Sequence, residues 1–291
     1  MTSISQSIAA GGSHVLPAQA VKSASSPRRW EGWENDAIRK IRLIICEPCR
    51  LVYRPLPKCA STTMYSLLAR LGGVKSGPRA NPRRLLPLVD GLTKPGRGGS
   101  YEVIWPLDEA ADRLGEAYRG YTVFSVIRDP FDRTLSNYHN KLNRFARRFA
   151  PSVYWGGYLG PVFNGRSPLI FAERIRWMQR TISFDQFVEV LGEQGIAWDS
   201  HFDLQVRLLG GDRISYDHLL PLESLASGLQ GLLAGRGSAA VLASLTNDLG
   251  RLNASGSRPS DAAWTARTRS LVAKMYDTDF QRLGYAVRRA A

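Results

Sequence analysis

The chain has 291 residues, 44% of them hydrophobic and 10% aromatic, which is length and apolar content enough for a packed core in one large domain or two small ones. Lys and Arg number 39 against 25 Asp and Glu, a formal net charge of +14, so the partner to expect is an anion: a nucleotide, an acidic glycan, nucleic acid or a membrane surface. No run approaches the roughly eighteen consecutive apolar residues of a membrane helix. Three cysteines make no disulfide framework in a chain of this size and suit a reducing compartment.

Residues 1–29 are rich in Ser, Ala and Gly and lack a basic start followed by an apolar core. They read as a disordered tail rather than a secretory leader, ahead of a single domain over 30–291. Trp30 to Lys40 reads as a short helix or lead-in. Two strand-like runs follow, Ile41–Ile45 and Leu51–Tyr53, on either side of Cys46-Glu-Pro-Cys49. A zinc site would want a second cysteine pair, and a redox pair would want a helix opening directly after the first cysteine. The Glu-Pro chemistry predicts a hairpin turn instead.

The second strand is stopped by Pro55 and Pro57 and leads through Lys58-Cys-Ala-Ser-Thr-Thr63 into a helix, Thr62–Leu71, closed by Gly72 and Gly73. A strand that turns directly into a helix aims unpaired backbone N–H groups and the positive end of the helix dipole at one point. With Lys58, Ser61, Thr62 and Thr63 there, that point is suited to phosphate or sulfate. The plainer alternative is an ordinary connection with Ser61 as its N-cap. Lys75–Ser100, rich in Pro, Gly and Arg, reads as a lid-like loop insertion, and Leu107–Tyr118 as a helix ending at Gly120.

Val123–Ile127 has the apolar, β-rich character of a central parallel strand, with Asp129 as N-cap and Pro130 at the first position of the next helix. Apolar residues at 131, 135, 138, 142, 145 and 149 predict one long amphipathic helix whose other face, from Arg133 to Arg148, is basic. Past a Gly/aromatic loop at 154–168, Ser183-Phe-Asp-Gln186 is a capping box for a helix through Leu191. Ile214–Leu220 reads as a strand, Ser224–Leu252 as two helical patterns, and Asp261–Leu283 as a last helix capped by Gly284. Strands alternating with helices predict an α/β fold of three layers, P-loop-like, with a central parallel sheet flanked by helices. Arg128 closes the second central strand, and Ser136 lies eight residues on, hence on nearly the same helix face. Both can address one phosphate beside that helix.

These residues together resemble a family. Pro57–Thr63 is similar to the 5′-phosphosulfate loop of sulfotransferases that use 3′-phosphoadenylyl sulfate (PAPS), and Arg128–Tyr138 to their 3′-phosphate motif. The likeness is to carbohydrate sulfotransferases of the chondroitin/HNK-1 type and their bacterial relatives. Ser183–Phe187, His201–Gln205, Tyr216–Glu223 and Met275–Tyr285 agree with that group in the same order. The resemblance implies PAPS as co-substrate and no metal. It implies that Lys58 contacts the bridging oxygen, that Cys59, Ala60, Ser61, Thr62 and Thr63 hold the 5′-phosphosulfate, and that Arg128 and Ser136 hold the 3′-phosphate. The acceptor it implies is a hydroxyl on a carbohydrate or glycolipid, and no nucleic-acid partner is expected; the sequence itself shows no apolar run for an integral membrane segment. The membrane anchor of Golgi relatives is missing, which points to a bacterial, cytoplasmic enzyme, the inner face of the membrane being the other location considered.

A general base must take the acceptor proton. No histidine lies between Thr63 and Arg128, so His201 is the first candidate, ahead of Glu102 and Asp108, while His139 reads as structural. The alternative for His201 is likewise a structural role. Tyr216 and Glu223 read as framework. Two other functions compete. A P-loop kinase or ATPase would want Gly-x-x-x-x-Gly-Lys-Ser/Thr, but Cys59 stands where the magnesium-binding hydroxyl belongs. A basic nucleic-acid-binding protein leaves the Arg128–Ser136 spacing unexplained.

Overall fold

The structure, a computed structural model, describes residues 16–17, 40–75, 81–89, 95–139, 183–197, 200–236 and 264–288. It opens with β1 (Leu16–Pro17), which pairs antiparallel with a later strand at His218 and Leu219. That part of the stretch read as a tail therefore lies on the sheet, while the remainder of 1–29 and the lead-in up to Arg39 fall outside the described residues. Strand β2 (Lys40–Cys46) buries every residue but Lys40 and Arg42, and β3 (Leu51–Arg54) is buried throughout. They form the expected hairpin, with Ile44 opposite Tyr53 and Cys46 opposite Leu51. The Arg50 amide donates to the Glu47 carbonyl at 3.1 Å to close its turn, and Cys46 and Cys49 are buried free thiols.

Helix α1 (Ser61–Leu71) ends at Gly72 as predicted. A Cβ on Gly72 would meet the Ser100 amide at 2.5 Å, so only glycine lets the helix end lie against the next long strand. The Lys75–Ser100 stretch is less of a loop than its composition suggests. It holds a 3-10 turn at Pro82–Arg84 and a short strand β4 (Leu88–Val89), parallel to β5 (Ser100–Pro106). Strand β5, unpredicted, runs antiparallel to β2 along its whole length. Its polar residues obscure the strand pattern, but each finds a partner. Ser100 Oγ donates to the Leu68 carbonyl at 2.6 Å, and Glu102 accepts from Tyr65 and Arg42.

Helix α2 (Leu107–Gly115) leads to β6 (Thr122–Ile127), buried at all six positions. Helix α3 (Pro130–Tyr138) starts as predicted, with Asp129 Oδ1 accepting from the Phe131 amide at 2.7 Å and Pro130 in the first turn. The rest of the long helix, its basic face from Asn140 to Arg148 and the Gly/aromatic loop lie outside the described residues. Helix α4 (Phe184–Gln194) has both bonds of its capping box. After the short α5 (Gln205–Leu208), β7 (His218–Pro221) is shorter than the run from Ile214 suggests. Asp217 instead leads it in, its carboxylate accepting from the Val123 amide at 2.7 Å. Helix α6 (Leu225–Leu233) is the first of the two Ala/Leu patterns, and the second lies outside the described residues. The helix expected over Asp261–Leu283 is two, α7 (Ala266–Met275) and α8 (Asp277–Leu283). They break at Tyr276, whose hydroxyl is drawn inward to the Phe202 carbonyl at 2.8 Å.

The sheet runs β1-β7-β6-β3-β2-β5-β4. The α/β fold stands, with β3, β6 and β7 parallel at its centre, but the sheet is mixed: β2 runs antiparallel to both its neighbours and β1 to β7. In register, Arg54 lies beside Ser125, so the loops after β3 and β6 leave the same carboxyl edge side by side. Phe131, Phe184, Trp264 and Phe280 pack in edge and tilted contacts about 5 Å between centroids, which seats α3 on the C-terminal helices.

Candidate functional site

The connection from β3 to α1 turns sharply between Pro55 and Ala60. Lys58 and Ala60 both adopt left-handed backbone conformations, φ 66° and 54°, which for non-glycine residues cost about 1 kcal/mol or more each. Ala60, not Ser61, is the N-cap of α1, and no side chain caps that helix. Ser61 is therefore not the cap that the plain-connector reading gave it. The first-turn amides keep their demand for an acceptor, and Arg70 is the basic residue at the far end of the helix. Ser61 is half-buried, Thr62 exposed and Thr63 buried. The Cys59 thiol turns the other way, fully buried and pushed up to about 11 by that burial, and the Cys59 amide donates to the Leu56 carbonyl at 3.4 Å.

The second cationic strand end meets the first. The Arg128 guanidinium donates from Nη1 to the Lys58 carbonyl at 3.2 Å. Both residues are half-buried, and Ser136, two turns along α3, is half-buried as well. Lys58, the α1 N-terminus and Arg128 thus share one edge of the sheet.

Three buried groups behind this edge escaped the sequence reading. Arg133, expected on the basic face opposite the apolar stripe, is 1% exposed. It donates to the carbonyls of Asp203 at 2.8 Å, Pro57 at 3.3 Å and Ser200 at 3.3 Å, so it ties the loop between β3 and α1, the cradle loop below, to the 200–203 turn. Gln205 accepts at Oε1 from the Arg128 amide at 2.9 Å and the Cys59 thiol at 3.4 Å, and donates from Nε2 to the Arg128 carbonyl at 2.8 Å. Asp279 in turn accepts from the Gln205 amide at 2.9 Å and the Val206 amide at 3.0 Å. The sequence signal for all three was only that each sits in a segment that carries the family resemblance, Arg128–Tyr138, His201–Gln205 and Met275–Tyr285.

Burial drives the carboxyl chemistry here. It pushes Asp203 up to about 6, opposed by Arg207 at 3.5 Å and then Arg133, and pushes Asp279 upward, opposed by Arg133. Asp129 is also raised by burial, against the pull of Arg288, whose Nη2 reaches its Oδ2 at 2.8 Å. His201 is half-buried in the turn that Arg133 and Asn137 hold, the latter donating to its carbonyl at 2.6 Å. Glu102 lies on β5, bonded to Tyr65 and Arg42. Asp108 is exposed and pairs with Arg213 at 2.6 Å. Tyr216 and Glu223 hold framework positions: the Tyr216 hydroxyl donates to the Leu209 carbonyl at 2.7 Å, and Glu223 accepts from the Asp129 amide at 3.0 Å.

The model of the Sulfotransferase family matches residues 42–286, most of the chain. The protein belongs to the sulfotransferase family. No curated protein and no solved structure matches the chain. The matched span of this sulfotransferase runs from β2 to the residue after Tyr285 and contains both strand ends described above. Among the described residues, no group of three or more His, Cys, Asp and Glu is arranged to hold a metal ion, and no helix is long and apolar enough to cross a membrane.

Proposed function

We propose that the chain is an O-sulfotransferase that uses PAPS and passes the sulfuryl group to a hydroxyl of a saccharide or glycolipid. The observation that carries this reading is the meeting of Arg128 and Lys58 at one carboxyl edge, 3.2 Å from guanidinium nitrogen to carbonyl oxygen. A donor phosphorylated at both the 3′ and 5′ positions needs two cationic grips at ribose-sized separation. The uncapped α1 and the left-handed residues at Lys58 and Ala60 supply amides for the 5′ end, with the hydroxyls of Ser61, Thr62 and Thr63. Arg128 and Ser136 supply the 3′ grip. Bound there, PAPS supplies an activated sulfuryl group. Lys58 and the α1 dipole answer the negative charge that grows on the leaving phosphate, and interact with it more strongly than with the ground state.

His201 is our choice of general base. Arg133 places the Ser200 and Pro57 carbonyls on one guanidinium, which brings the His201 turn beside the cradle loop. Glu102 is already engaged by Tyr65 and Arg42. His201→Ala should lower turnover on the order of a hundredfold and abolish the acid limb of the pH profile, whereas Glu102→Gln should keep that limb.

Binding tests the reading directly. Adenosine 3′,5′-bisphosphate should raise the melting temperature without magnesium, and ATP with magnesium should not match it. Arg128→Ala should lose most affinity for the bisphosphate and little for 5′-AMP; equal losses, or magnesium-dependent ATP turnover, would overturn it.

A further inference from the structure

The two grips do not merely lie side by side; one buried side chain spans them. Gln205 is fully buried and bonds both main-chain groups of Arg128, as a neighbouring strand would at the end of β6, while the same Oε1 receives the Cys59 thiol from the cradle loop. Its own position is set from below. Asp279, on α8, accepts from the Gln205 and Val206 amides at the start of α5 and lies 3.4 Å from Gln205 Nε2. The path runs from α8 through Gln205 to Arg128 and Cys59, and returns through the Arg128 guanidinium to the Lys58 carbonyl. Few side chains could fill this place. It needs an acceptor for an amide and a thiol, and a donor for a carbonyl, in one planar group of this reach.

We infer that Gln205 is the positioning residue that fixes the distance between the 5′ and 3′ phosphate grips, so that the two ends of the nucleotide bind cooperatively. The inference rests on the PAPS reading above. Without Gln205 the main chain at Arg128 and the loop at Cys59 lose their common anchor, and each grip can still bind its own phosphate but no longer at a matched separation. Gln205→Glu keeps the acceptor, loses the donor and sets a negative charge against the Arg128 carbonyl and Asp279. Gln205→Met keeps the volume and the amide bond to Asp279 and loses every side-chain bond.

The experiment is a comparison of dissociation constants for 5′-AMP and adenosine 3′,5′-bisphosphate in the wild type, Gln205→Met and Gln205→Glu, below each variant's melting temperature. In the wild type the second phosphate should tighten binding on the order of tenfold or more, the value of a charge-assisted grip. In both variants that ratio should fall by at least about threefold, beyond what a lower melting temperature explains. A wild type without preference for the bisphosphate refutes the PAPS reading itself. A wild-type preference that survives intact in folded Gln205 variants leaves that reading standing and overturns the role of Gln205. Should the variants not fold, hydrogen exchange on the wild type decides. The bisphosphate, and not 5′-AMP, should slow exchange around Gln205 and Asp279 as well as at the grips; protection confined to the grips overturns the inference.

Discussion

Replacing Arg133 with Met separates a buried clamp from a solvated basic face most sharply. The alkyl volume is kept, while three donations to backbone carbonyls are lost, one short at 2.8 Å and two at 3.3 Å. Taking about 2 kcal/mol for the short charge-assisted bond and about 1 for each long one gives a loss of about 4 kcal/mol. The main cation opposing the burial of Asp279 goes as well, and Asp203 is left with Arg207 alone, which limits any recovery by relaxation. At about 2–4 °C per kcal/mol for a domain of this size, the melting temperature should fall by about 10 °C. Arg213→Met is the control, because its partner Asp108 and Arg213 itself are exposed and such pairs contribute under about 1 kcal/mol. Circular-dichroism melts of the two variants side by side make the measurement. If Arg133→Met melts within about 2 °C of the wild type, as Arg213→Met should, the clamp does not hold the loop and the 200–203 turn together.

Other outcomes follow from the same geometry. Lys58→Ala should lower turnover about a hundredfold while changing bisphosphate affinity less than about tenfold, since its charge is matched to the transition state; unchanged turnover in a PAPS-dependent assay removes it from the mechanism. The Asp203 carboxyl is held at about 6 against an ordinary 3.8, so the folded chain keeps its proton better than the unfolded one. Its contribution is complete below pH 3.8 and lost as pH rises through about 6, a swing on the order of 3 kcal/mol. Asp203→Asn, neutral throughout, should therefore gain in melting temperature relative to the wild type between pH 4 and 7; parallel curves refute the shift. Arg288→Ala removes partners of Asp129 and Asp132 at the start of α3 and should cost about 1 kcal/mol or less, the difference shrinking in 0.5 M salt. A salt-independent loss would mean packing over Phe131, not charge, is what Arg288 supplies.

What the chain settles by itself is whatever depends on neighbours a few residues away. The Asp129-Pro130 helix start, the Ser183 capping box, the Cys46–Cys49 hairpin turn and the Gly72 and Gly284 helix ends were all legible, because a cap or a turn closes within three or four residues. The placing of Lys58 and the hydroxyls of Ser61, Thr62 and Thr63 between β3 and α1 was legible for the same reason. Tertiary packing decided the rest. Strand β5 exists because Glu102 finds Tyr65 and Arg42, Arg133 turns inward because three carbonyls from 57, 200 and 203 converge on it, and the last helix breaks where Tyr276 reaches Phe202. Gln205 was visible as a residue but not as a bridge, since Arg128 lies 77 positions away and Cys59 146. No local pattern encodes such a partner; a polar group this deep is tolerated only where the fold brings its complement to it.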